Sequence, residues 1–268
     1  MRTAALRLLL TLPALSACQR TASDPTLQKA PVAAVSVADD AGSTTAAAAP
    51  PVEERQTEQY RLRIERSAMA PTHLALRRAV EAHLAQQRDQ FVGQALAAQE
   101  EGFQFDQPWE LQLQVQPTLQ RDDLIVLELT GSEYTGGAHG LPLLASFVYL
   151  PPPADQVLAI EDWFDGDAVW APFSEAALAA LVQVFTERDG QPPNADAIEW
   201  FGTGAGPDPA NFAHYVPLLD EAGLIHAFAI TFQPYQVASY ADGMPRIELA
   251  LAPFRDFVQT ALRDRIAN

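Results

Sequence analysis

The 268-residue chain is 48% hydrophobic and 9% aromatic, enough to build one or two globular domains and unlike a disordered or fibrous composition. With 34 acidic against 17 basic residues it carries a formal net charge of −17, which excludes the basic footprint that nucleic acid requires of a partner. A single cysteine excludes an internal disulfide and a zinc site built on two or more cysteines, and no cofactor or metal is expected.

The amino terminus has two cations (Arg2, Arg7), an apolar run from Leu8 to Leu15, and then Ser16-Ala17-Cys18. That is the layout of a secretory signal peptide over residues 1–17, and its apolar run falls short of the ~20 residues a membrane-spanning helix needs. Leu15-Ser16-Ala17-Cys18 resembles a bacterial lipobox, in which Cys18 is acylated and becomes the first residue of the mature chain. More than one acyl chain anchors stably, and Gln19 at the second mature position, where an Asp would resemble an inner-membrane retention signal, points to the outer membrane. The other reading is a secretory signal with an incidental cysteine. Residues 18–58 then hold small, polar and proline residues, including Ala46 to Ala49 followed by Pro50-Pro51, with no aromatic residue and no sustained period. Such a stretch buries too little apolar surface to offset ordering entropy, so a disordered tether is expected, with a coil reach of ~35 Å. Beyond it lie 12 basic and 28 acidic residues, so a net −16 belongs to the folded part.

In the first folded stretch, residues 59–150, Tyr60, Leu62 and Ile64 alternate with Arg61, Arg63 and Glu65, the period of a half-buried strand. Pro71 opens a helix with Leu76, Val80, Leu84 and Phe91 on one face, and Gly102 stops it. Trp109, Leu111, Leu113 and Val115 alternate with polar residues in a strand ended by Pro117. The stretches 124–130 and 143–150 are uniformly apolar, as central strands are, and a glycine-rich loop joins them.

Pro151-Pro152-Pro153 marks a boundary, with a second unit over 151–268. There Ser174 reads as the N-cap of a helix carrying Leu178, Leu181, Val182 and Phe185, stopped by Gly190. Residues 191–209 read as loop. The stretches 212–219 and 224–232 flank Asp220-Glu221-Ala222-Gly223 as a hairpin, 246–251 is a strand, and Pro253 starts a last helix with Phe254, Phe257, Val258 and Leu262 inward. The fold class is α+β: two small units of antiparallel sheet plus helix, sharing one sheet or standing as two domains.

Catalytic motifs are scarce. There is no His-Glu-x-x-His, no Gly-x-Ser-x-Gly elbow and no Walker loop. Gly202-x-Gly204-x-Gly206 runs into Pro207-Asp208-Pro209 without a preceding strand, so it reads as a flexible loop and not a phosphate cradle. His226 alternates with Leu224, Phe228 and Ile230 and reads as a hydrogen-bonded core residue. Two segments stand out. One is Tyr134-Thr135-Gly136-Gly137-Ala138-His139-Gly140, where Gly136 and Gly137 permit positive φ and His139 is presented on a loop; the plainer reading is a tight connection capped by its histidine. The other is Phe232 to Gly243, where Tyr235 and Tyr240 straddle an irregular crossing between strands.

In this order, Tyr-x-Gly-Gly-Ala-His (Tyr134 to His139) and Pro-Tyr-x-x-Ala-x-Tyr-Ala-x-Gly (Pro234 to Gly243) resemble a bacterial extracytoplasmic family. It is the paired domain of unknown function of RsiV-type anti-sigma factors and PdaC-type peptidoglycan deacetylases, and the resemblance covers most of residues 59–258. Gly140 stands where a proline is common, Met244-Pro245 follow the last glycine, and 191–209 reads as an insertion. The sequence has neither the sigma-binding segment and membrane span of RsiV-like proteins nor room for the metal-dependent domain of PdaC-like enzymes, so only the ectodomain is expected. The resemblance implies binding of lysozyme or engagement of the wall. A non-enzymatic, outer-membrane-anchored periplasmic lipoprotein that binds a basic muramidase-like protein or peptidoglycan is therefore expected, with Tyr134, Gly136, Gly137, His139, Tyr235, Tyr240 and Asp242 as ligand-binding candidates. The alternative is a cell-wall hydrolase or deacetylase accessory using His139 as general base, oriented by Asp242 or Glu133.

Overall fold

The computed structural model describes residues 52–267. The expected signal peptide 1–17, the lipidation site Cys18 and tether residues 19–51 lie outside the described residues. Residues 52–56, expected to belong to the tether, are instead strand β1 (Val52–Gln56), paired antiparallel with β2 (Tyr60–Glu65). Its polarity is that of an edge strand, which tolerates charge on both faces and so shows no apolar period. Arg66 ties it down by bridging Glu53 at 2.9 Å and Glu81 at 3.1 Å.

Helix α1 (Leu74–Glu100) follows, with Leu76, Val80, Leu84 and Phe91 buried as expected, and Gly102 at φ +82° closes it. Because α1 carries the chain back along the sheet, β3 (Trp109–Gln120) lies parallel to β2, and the expected antiparallel sheet is mixed at this one pair. β3 also runs through Pro117 instead of ending there. β2 pairs no further than Gln114, so that side of β3 is open at Pro117, and a register shift between Pro117 and Leu119 absorbs the missing N–H. β4 (Ile125–Tyr134) and β5 (Leu141–Leu150) form the central hairpin. β4 continues past Thr130 because Gly131 has no side chain to strike the Gln112 carbonyl. β6 (Gln156–Leu158) pairs with β5, so the sheet extends across the proline run, and its order is β1-β2-β3-β4-β5-β6.

The uniformly apolar strands are explained by two cores. Ile125, Leu127 and Leu129 of β4 and Phe147 and Tyr149 of β5 face α1. Val126, Val148 and Leu150 point the other way, into a core built by the second half of the chain. Its centre is polar but satisfied: the Trp163 indole donates to the Tyr215 hydroxyl (2.8 Å), which donates to the Leu158 carbonyl (2.9 Å).

Helix α2 (Trp170–Asp189) starts four residues before Ser174, whose hydroxyl donates instead to the Ala205 carbonyl at 2.6 Å. The stretch 167–189 is long and apolar enough to cross a membrane; here Trp170, Phe173, Ala177, Leu181 and Phe185 are buried in the second core. Gly190, at φ +71°, ends α2 as expected. The segment expected as loop contains helix α3 (Ala195–Gly204), capped by the Asn194 side chain accepting from the Ala197 N–H at 2.9 Å. Gly204 serves close packing, since a side chain there would strike the Gln236 carbonyl. β7 (Tyr215–Leu219), β8 (Ile225–Thr231) and β9 (Arg246–Ala250) make a separate antiparallel sheet in the order β7-β8-β9. His226 is exposed on β8, so the core-histidine expectation fails: Ile225 and Ala227 turn inward instead. The last expected helix is 3-10 turns at Ala252–Phe257 and Arg263–Arg265, with Phe254, Val258 and Leu262 still inward. Arg255 donates to the Ile266 carbonyl (2.7 Å) and Arg263 to the Val258 carbonyl (2.9 Å), satisfying backbone that no regular helix pairs.

Candidate functional site

The β4–β5 hairpin presents residues 135–140 as its turn, with Gly136 and Gly137 at φ +99° and +94°, conformations costly for any residue with a side chain. The Tyr134 hydroxyl donates to the Gly137 carbonyl at 3.2 Å and stiffens this turn. The second segment leaves β8 and reaches β9 through an irregular path held from within. The Gln236 amide donates to the carbonyls of Gly204 (2.9 Å) and Asn211 (2.8 Å). Tyr235 takes a left-handed backbone conformation (φ +69°), fixed by its N–H on the Ala238 carbonyl and by the Trp200 indole, which donates to the Tyr235 carbonyl at 3.2 Å. A non-glycine residue there costs of order 1–3 kcal/mol, so the support overrides a local preference.

The two segments, a hundred residues apart in sequence, meet. The His139 ring stacks on Tyr240 with centroids 3.6 Å apart and planes 17° apart. The Tyr240 hydroxyl donates to the Gly140 carbonyl at 2.9 Å, locking one loop to the other. Tyr235 continues the row, its ring 6.0 Å from Tyr240 and 53% exposed. Six of the seven ligand-binding candidates thus belong to one surface, while Asp242 turns away from the histidine. Asp242 accepts from the Ser239 hydroxyl (2.6 Å) and N–H (3.1 Å) and pairs with Arg188 (2.9 Å). The Ser239 hydroxyl, then Arg188, hold its carboxyl below the ordinary carboxylate range.

The general-base arrangement is not assembled. His139 Nδ1 lies 3.3 Å from the Gly140 carbonyl, and among the described residues no hydrogen bond joins it to Asp242 or to Glu133. Burial pushes the Glu133 carboxyl up from the ordinary carboxylate range. Among the described residues no group of three or more His, Cys, Asp or Glu could hold a metal ion.

Two neighbours were not legible as site residues. Trp200, 40% exposed, and Arg188 border a groove of about 470 Å³ that also includes Asp189, Pro193, Ser239 and Asp242. Asn194 followed by Ala195-Asp196-Ala197 was the available signal, an N-cap with an acid in the first turn.

Residues 53–142 match the family model described as Deacetylase PdaC, a span that holds the first segment and not the second. No curated protein matches. The fold is similar to the crystal structure of a DUF3298 family protein from Pseudomonas aeruginosa PAO1, at 21% identity and a TM-score of 0.54 over 80% of this chain and 96% of that one. It is also matched by a DUF3298 family member from Bacteroides fragilis NCTC 9343, at 15% identity and a TM-score of 0.49 over 81% of this chain and 95% of that one. The α+β arrangement of a six-stranded and a three-stranded sheet is thus a known one. Residues 53–142 are thus similar to the Deacetylase PdaC family model, and across both halves the fold is similar to that of a DUF3298 family protein.

Proposed function

We propose that the protein is an outer-membrane-anchored periplasmic lipoprotein, held through an acylated Cys18, whose folded part is a non-enzymatic binding module for a basic, muramidase-like protein. The observation that carries this reading is the row His139-Tyr240-Tyr235, assembled from both signature segments and left open to solvent. Tyrosines on a rigid support bind with little loss of side-chain freedom and dominate interface energetics. From Val52 on, the folded part has 13 basic and 31 acidic residues, and this net −18 complements a cationic partner and would raise its association rate most at low salt.

Peptidoglycan is the second reading, favoured by aromatic faces beside polar groups, as in sugar-binding clefts. The hydrolase alternative needs a carboxylate behind His139, and the ring is bonded to a backbone carbonyl instead. Size-exclusion chromatography of the full chain in mild detergent with hen-type lysozyme should give a co-eluting complex, and sedimentation with isolated wall tests the second reading. Failure in both assays would refute the binding module. Turnover of wall fragments lost in His139→Ala would reinstate the enzyme. A Cys18→Ser form that stayed membrane-bound would refute the anchor.

A further inference from the structure

We infer that the groove between the end of α2 and α3 is a cation subsite that receives a lysine or arginine side chain of the partner protein, against Trp200 and Asp196. This rests on the partner reading above and deepens it.

The groove already shows the chemistry on one of its walls. The Arg188 guanidinium lies 4.2 Å from the centre of the Phe185 ring, while Asp189 (2.6 Å) and Asp242 (2.9 Å) take its N–H groups. An aromatic face and carboxylates are the two elements that bind such a cation. The opposite wall repeats both elements without a cation of its own. Asp196 and Trp200 stand four residues apart on α3, hence on one face of it. Trp200 is the exposed tryptophan of the four, its indole held in place by the Tyr235 carbonyl. Asp196, exposed in the first turn of α3, has no ion pair among the described residues.

Three carboxylates and one arginine give the groove wall a net negative charge, so an anionic ligand is disfavoured. Its volume of about 470 Å³ accommodates a long side chain. The link from Trp200 to Tyr235 makes the groove continuous with the aromatic row, so one partner can use both. The groove is built largely by residues 191–201 of the α2–α3 connection and α3.

The test follows the Trp200 indole N–H by NMR in the full chain, assigned with Trp200→Phe, during titration with n-butylguanidinium and n-butylammonium at constant ionic strength. A saturable shift is expected with both cations and none with n-butylurea or n-butyrate. Asp196→Asn, whose fold is checked by its thermal transition, should weaken the cations about threefold or more. No shift of the indole, or an equal shift with butylurea, overturns the subsite. The lysozyme arm is separate: weaker lysozyme binding by Asp196→Asn supports the protein source, and weaker binding to isolated wall instead assigns the cation to a wall amine and overturns it. A shift with butylguanidinium but no lysozyme complex would refute the partner and leave the subsite standing.

Discussion

The strands β2 and β3 and the hairpin β4–β5 lie in one sheet, yet they are built on different sequence rules. β2 and β3 alternate strictly, with Leu62 and Leu113 buried under α1 while Arg63 and Gln112 on the reverse face meet water. β4 and β5 are apolar on both faces, because the second half of the chain packs on the side opposite α1 and takes up Val126 and Val148. A strand's pattern therefore reports how many layers cover it, and the change from alternating to continuous apolar sequence marks where the second core begins. The candidate site sits at the end of the doubly covered hairpin, where its turn can be gripped by segments from the second core.

The largest expected effect tests this contrast directly. Val148→Asp should cost about 4 kcal/mol or more in denaturant unfolding, because its carboxylate would be buried without a partner. If instead it is tolerated, the reverse face of the hairpin is not a core. Next, Gly204→Ala forces a methyl group against the Gln236 carbonyl, and about 1–3 kcal/mol should be lost, with α3 and the Tyr235 turn shifting together in NMR spectra. Tyr240→Phe removes one hydrogen bond between the hairpin turn and the second segment. About 1 kcal/mol of local stability should be lost, seen as faster amide exchange across 135–140.

A smaller effect comes from His214, ahead of β7. Burial, reinforced by His83 nearby, lowers its pKa below the ordinary 6.5. The folded state therefore prefers the neutral ring, the unfolded chain takes up the proton first, and stability should fall as pH drops below about 6.5. His214→Gln should flatten that part of the stability profile measured between about pH 7.5 and 5.5. Smallest of all, Gln112→Thr on the wet face of β3 should stay within about 0.5 kcal/mol of the parent.

Much of the architecture was legible because it follows from period and punctuation. The burial of Leu76, Val80, Leu84 and Phe91, the stops at Gly102 and Gly190, and the hairpin at Asp220–Gly223 all come from local pattern. What escaped was set by tertiary partners. β1 is polar because it is an edge, Pro117 is tolerated because β2 has ended, and α3 is masked by Gly202 and Gly204, the latter present for the approach of Gln236. The two signature segments are each visible in sequence, but the 3.6 Å stack of His139 on Tyr240 is not, since it depends on how two halves of the chain pack. Asp242 adjoins the site only by its nearness in sequence to Tyr240, and its pairing with Arg188 turns on the position of α2, which no local signal carries.

The row His139-Tyr240-Tyr235 is the proposed binding surface for a basic muramidase-like protein. The most direct measurement is calorimetric titration of hen-type lysozyme onto the full chain and its Tyr235→Ala variant at low and moderate salt. Saturable binding is expected that weakens with salt and falls about tenfold or more in the variant, since Tyr235 is 53% exposed while its row neighbour Tyr240 is half-buried. Absence of binding at low salt, or equal affinity of Tyr235→Ala and the parent chain, would contradict it.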